Sequence, residues 1–108
     1  MSVVLLIEWD NPKDTARNRK RLDLEEDNMK PRLEELIEEK GIGVKVSSWT
    51  DNTGHIIRWY KYETMDEFAI MWMDERWQFY LAEHSHYVDN TRIRLLRQQI
   101  NHPEERFI

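Results

Sequence analysis

The sequence predicts an α+β domain in which one antiparallel sheet carries two helices on a single face, in the order β-α-β-β-α-β. Three observations carry that reading. The chain opens on an apolar, β-branched run, Val3-Val4-Leu5-Leu6-Ile7, closed by the turn signal Asp10-Asn11-Pro12. A helical stripe follows, with Met29, Leu33, Leu36 and Ile37 at 3.6-residue spacing. Two strand-like runs then flank Asp51-Asn52-Thr53-Gly54, a short connection ending in glycine that suits a hairpin.

Ser2–Asp10 is the first strand. Val3, Leu5, Ile7 and Trp9 share one face and Val4 and Leu6 the other, so both sides are apolar. Such a strand belongs inside a sheet that is covered twice. From Lys13 to Lys40 the pattern is helical and stops at Gly41. Pro31 is expected in the first turn of that helix, capped by Asp27 or Asn28, because a deeper proline breaks a hydrogen bond. Thr15–Glu26 then reads as a loop or a loosely attached helical turn. Within it, Arg19 with Asp23 and Arg21 with Glu25 stand at i,i+4 spacing and read as self-neutralised and solvated.

Val44–Thr50 and His55–Glu63 are the second and third strands, the latter rich in aromatic and β-branched residues. Thr64 and Glu67 form a capping box opening a second helix through about Val88. Phe68, Met71, Trp72, Phe79 and Tyr80 are expected on its buried side, and Asp74-Glu75 marks a break. Thr91–Ile100 closes the chain as a strand, alternating Ile93 and Leu95 against Arg92 and Arg94.

This is the ferredoxin-like arrangement, in one domain spanning 1–108. Right-handed crossovers place its first and third strands in the centre. Two helices cover one sheet face. The apolar second face of the first strand therefore calls for another cover, and a second copy of the chain, sheet against sheet, supplies it.

The order and the doubly covered sheet resemble the dimeric α/β-barrel superfamily. Trp72-Met73-Asp74-Glu75-Arg76-Trp77-Gln78-Phe79-Tyr80, followed by Arg92-Ile93-Arg94-Leu95-Leu96-Arg97, is similar to the second helix and last strand of its NIPSNAP-like branch. The resemblance implies a homodimer closing a barrel. It also implies one of the superfamily's roles: cofactor-free monooxygenase, haem-degrading enzyme, lactone isomerase or small stress-responsive protein. Haem-degrading members use a helix-two histidine, an asparagine after the first strand and a tryptophan. His84, Asn11 and Trp72 or Trp77 occupy the same regions without matching spacing, and no cofactor is expected.

Composition excludes other classes. The 108 residues contain no cysteine, which removes disulfides, iron–sulfur clusters, thiolate zinc sites and cysteine nucleophiles. A net charge of −5 is unsuited to neutralising phosphates, and Trp59 and Tyr60 of the aromatic strand point to opposite faces, so no nucleic-acid partner is expected. The longest apolar run is far too short for a bilayer, and a cytoplasmic protein with no membrane partner is the expectation. His84 and His86 stand two apart, which on a helix prevents both from reaching one metal.

Two constellations could carry chemistry. Glu8, Arg58 and Arg94 fall on neighbouring strands. If all three face the open side of the sheet, they form either an anion site, through the planar forks of the arginines, or a salt-bridge network fixing a dimer interface. The second is a pocket between the sheet and the second helix, lined by Tyr60, Trp72 and His84. There His84 is the candidate catalytic base and Arg58 positions an anionic group. The expected function is a small-molecule-binding or stress-associated domain for a hydrophobic or anionic ligand. The alternative is a cofactor-independent monooxygenase or isomerase acting on a hydrophobic, aromatic substrate. A sealed core beneath the second helix favours the first.

Overall fold

Alternation along the first strand sets the architecture. In the computed structural model, which describes residues 2–98, β1 (Val3–Asp10) buries every second residue, with Val3, Leu5, Ile7 and Trp9 turned toward the helices. The four strands lie in the order β2-β3-β1-β4, all neighbours antiparallel, with β2 spanning Val44–Thr50, β3 His55–Tyr62 and β4 Asp89–Arg97. The first and third strands are central, as expected. The observed β4 is shifted toward the N-terminus of the expected strand, and Ile100 lies outside the described residues.

Residues opposite each other on paired strands share a face. Ile7 opposes Arg58, Leu5 opposes Tyr60 and Val3 opposes Tyr62, so these three β3 residues look toward the helices. The open face takes Val4, Leu6, Glu8 and Asp10 with His55, Ile57 and Trp59. On β4, Ile93 and Leu95 fall on the helix side and Arg92 and Arg94 on the open side.

The first helical segment differs most from expectation. Thr15–Lys40 is helical throughout: α1 (Thr15–Leu24), a π-helical turn (Glu25–Met29) and α2 (Lys30–Lys40). Pro31 has no N–H and its ring would collide with the carbonyl four residues back. The chain widens just before it, and the Lys30 N–H reaches the Glu25 carbonyl five residues earlier. The helix thus passes a proline without ending. Neither Asp27 nor Asn28 caps it, and α2 begins on helical backbone with no side-chain cap. Gly41 closes it in the left-handed region, at φ 68°.

The second helical segment is broken where the sequence indicates, into α3 (Met65–Trp72) and α4 (Glu75–His86). Half of the expected capping box forms. The Thr64 hydroxyl accepts from the Glu67 N–H at 3.2 Å, whereas the Glu67 carboxylate takes a hydrogen bond from the Gly43 N–H at 3.4 Å. Asp74 caps α4 by accepting from the Trp77 N–H at 2.8 Å. Phe79 is 58% exposed rather than buried. Trp77 takes the core position instead, because the helix restarts at Asp74 with its own phase. Among the described residues no helix is long and apolar enough to cross a membrane.

Candidate functional site

The π turn places a carboxylate inside the protein. Arg21, Glu25 and Met29 follow one another at four-residue steps and face the sheet, and Arg21 and Glu25 are only 7% and 5% exposed. The expected pair between them forms, with Arg21 Nη1 donating to Glu25 Oε2 at 2.6 Å, but it is buried rather than solvated. Arg19–Asp23, the other expected pair, is exposed.

Arg58 completes the cluster. It lies opposite Ile7 and therefore on the helix side, not beside Glu8. Its Nη2 pairs with Glu25 Oε1, its Nε donates to Ser48 Oγ at 2.8 Å, and its Nη1 reaches Tyr80 Oη and Met29 Sδ, both at 3.4 Å. The guanidinium carbon sits 5.0 Å from the centre of the Trp9 ring, within cation–π range. Burial opposes the charge on Arg58. The Tyr60 oxygen and the Glu25 carboxylate more than offset it, leaving its pKa above the usual arginine value.

Around this ion cluster the aromatic rings interlock. Tyr60 meets Trp77 edge-on at 5.2 Å, Trp77 meets Tyr80 at 5.3 Å, and Tyr80 meets His84 at 5.5 Å. His84 in turn stands edge-on to Trp9 at 4.6 Å. Tyr60 is fully buried and His84 is 3% exposed. Burial, followed by the charges of Arg58 and Arg21, pushes the His84 pKa down to about 3. Burial raises Tyr60 to about 12 and Tyr80 well above its ordinary value. At neutral pH these rings are therefore uncharged. His84 Nε2 and Trp77 Nε1 have no hydrogen-bond partner among the described residues.

The expected pocket beneath the second helix is thus filled, with Trp77 wedged between Tyr60 and Tyr80. Trp72 belongs to a different group: it stacks on Phe68 at 5.6 Å, and Phe68 meets Tyr62. Clefts open elsewhere on the surface, and one of them lies under the first helical segment beside the ion cluster. A cleft of about 370 Å³ there is walled by Arg21, Glu25 and Met29 on one side and by Ser48, Ile56 and Arg58 on the other. Sequence spacing held a sign of this. Counting back in fours from Met29 reaches Glu25 and Arg21, and counting forward in twos from Arg58 reaches Tyr60.

Glu8 and Arg94 do come together on the open face, with Arg94 Nη2 donating to Glu8 Oε2 at 2.9 Å. His55 joins them, its Nε2 3.3 Å from Glu8 and its Nδ1 2.8 Å from Asp10. The carboxylates of Asp10 and Glu8 raise the His55 pKa. The expected convergence of Glu8, Arg58 and Arg94 is therefore divided by the sheet, two residues on one side and Arg58 on the other. Asn11 Oδ1 accepts from Trp9 Nε1 at 3.2 Å. Among the described residues no group of three His, Asp or Glu side chains is placed to hold a metal ion.

No protein-family model matches the chain, and no curated protein matches it. Solved structures do. A conserved protein from Methanosarcina mazei superposes with a TM-score of 0.67 at 12% identity, covering 92% of this chain and 94% of its own. A NIPSNAP family protein from Agrobacterium tumefaciens gives 0.56 at 13% identity, over 97% and 100%. A Deinococcus radiodurans protein assigned as an antibiotic biosynthesis monooxygenase gives 0.60 at 14% identity, over 100% and 98%. The fold is thus the ferredoxin-like one, shared with NIPSNAP proteins as the sequence resemblance implied.

Proposed function

We propose that this protein is a cytoplasmic, homodimeric small-molecule-binding domain, whose ligand lies in the cleft between the sheet and the first helical segment. The observation that carries the reading is the cleft itself. Its volume is in the range of small-ligand sites. It offers an apolar wall at Ile56 and Met29 and a fixed polar group at Arg58, the usual division between a site's body and its anchor. Binding without catalysis fits the core better than an enzyme does. Among the described residues the buried histidine, His84, is sealed, uncharged and shut in by rings, so no substrate reaches it without unpacking Trp9 or Tyr80.

The homodimer rests on the open sheet face. Val4, Leu6, Ile57 and Trp59 form its middle, and Trp49 on β2, opposite Ile57, is 63% exposed. An apolar band of this kind is characteristic of an interface, and Glu8, Arg94 and His55 beside it serve to fix register rather than to bind a ligand. Sedimentation of the wild-type chain is expected to give twice the chain mass and Leu6→Arg a monomer; a monomeric wild type refutes the dimer. For the cleft, 1-naphthoate at millimolar concentration is expected to raise the melting temperature of the wild type. It should have no effect on Thr50→Trp, which fills the cleft without touching Arg58.

A further inference from the structure

The charged groups of the cleft do not balance. Its walls carry three cations, Arg21, Lys30 and Arg58, and two carboxylates, Glu25 and Glu26. Lys30 and Glu26 are paired with each other at the exposed rim. Inside, Glu25 is shared between two guanidiniums, one on each oxygen, which leaves one positive charge without a counter-ion. Water screens such an excess at the surface, but little water reaches this cluster: the side chains of Arg21, Glu25 and Arg58 are 9%, 7% and 12% exposed. The cluster thus keeps one positive charge that an anion entering from the cleft can neutralise. Donors are also available. Arginine has five N–H groups, and Arg21 spends its own on Asn18 Oδ1 and Glu25, leaving N–H groups over.

Building on the cleft as the ligand site, we propose that it recognises an organic monocarboxylate, and that Glu25 on the π turn is the residue that sets this charge. With Glu25 in place the cluster has room for one negative charge. Without it the same two guanidiniums accept two. Glu25 is thus a resident anion that excludes dicarboxylates and phosphate monoesters while leaving one place for a single carboxylate carried on an apolar body. The body lies against Ile56 and Met29.

Calorimetric titration with 1-naphthol, 1-naphthoate and naphthalene-1,4-dicarboxylate tests this. The wild type is expected to bind 1-naphthoate about tenfold or more tightly than either of the others. Glu25→Gln is expected to shift preference toward the dicarboxylate by about tenfold or more. Glu25→Gln combined with Arg21→Gln restores the single excess charge and should restore the wild-type order, an outcome that a merely structural role for Glu25 would not give. If 1-naphthol and 1-naphthoate bind the wild type equally, or the double variant keeps the dicarboxylate preference, the charge argument is overturned while the cleft remains a ligand site. If none of the three binds any variant, the ligand site itself falls.

Discussion

Arg58 and Glu25 meet across the helix–sheet boundary, one from the middle of a central strand and the other from the widened turn of a helix. Each neutralises a charge that the other's burial makes expensive. Removing one partner from such a pair costs more than the pair contributes, because the survivor is left desolvated.

Glu25→Gln leaves both Arg21 and Arg58 without a counter-charge and is therefore expected to destabilise the fold by about 3 kcal/mol or more in urea unfolding. Glu25→Gln with Arg58→Met leaves only Arg21 unpaired and should recover a substantial part of that loss. Equal losses in the single and double variants would mean that packing against Trp9, not charge, is what Arg58 supplies.

His84 imposes a pH dependence whose sign follows from its environment. Its folded pKa is about 3 against an ordinary value of 6.5, so between those limits the unfolded chain binds a proton that the folded chain refuses. Stability should be unaffected by this residue above pH 6.5 and should fall as pH drops below it, by up to roughly 1.4 kcal/mol per pH unit from this group alone. His84→Phe is expected to flatten that limb of the stability–pH curve. His55 acts in the opposite sense: its folded pKa is raised, so its contribution is complete below the unfolded value and is lost as pH rises through the folded one.

Asp74 has two tasks, capping α4 through Trp77 N–H and pairing with Arg32, whose Nε donates to it at 2.9 Å. Asparagine retains the first and loses the second. Thermal or urea unfolding should show Asp74→Asn costing less than Asp74→Ala, with the capping loss of about 1 kcal/mol separating them. Identical losses would show that the cap contributes nothing.

The alternation of β1, the glycine stop after Lys40 and the Asp74 break were all legible in the chain, because each is a local pattern read over a few residues. Arg58 was harder. Pairing Glu8 with Arg58 required the relative register of two strands, and a shift of one residue moves a side chain to the other face of a sheet. Yet period-two alternation along β3 puts Arg58 and Tyr60 on the same side, so a Tyr60 facing the helices already implies an Arg58 facing them. The buried Glu25 was concealed for a different reason. Proline is normally read as a helix boundary, and a helix that widens to pass it leaves no compositional mark.

That widened turn also has a consequence for the length of the chain. An α-helix advances by about 100° per residue, and the π turn holds one residue more than a regular helix would need over the same rise. Deleting Asn28 would let the segment tighten into regular helix over about the same rise and rotation, so α1 would keep its face to the sheet and Arg21 and Glu25 their places in the cleft. Homologous chains shorter by one residue between Glu25 and Pro31 should therefore keep the same cluster on a regular helix, the extra residue being absorbed in the turn and not passed on to α1.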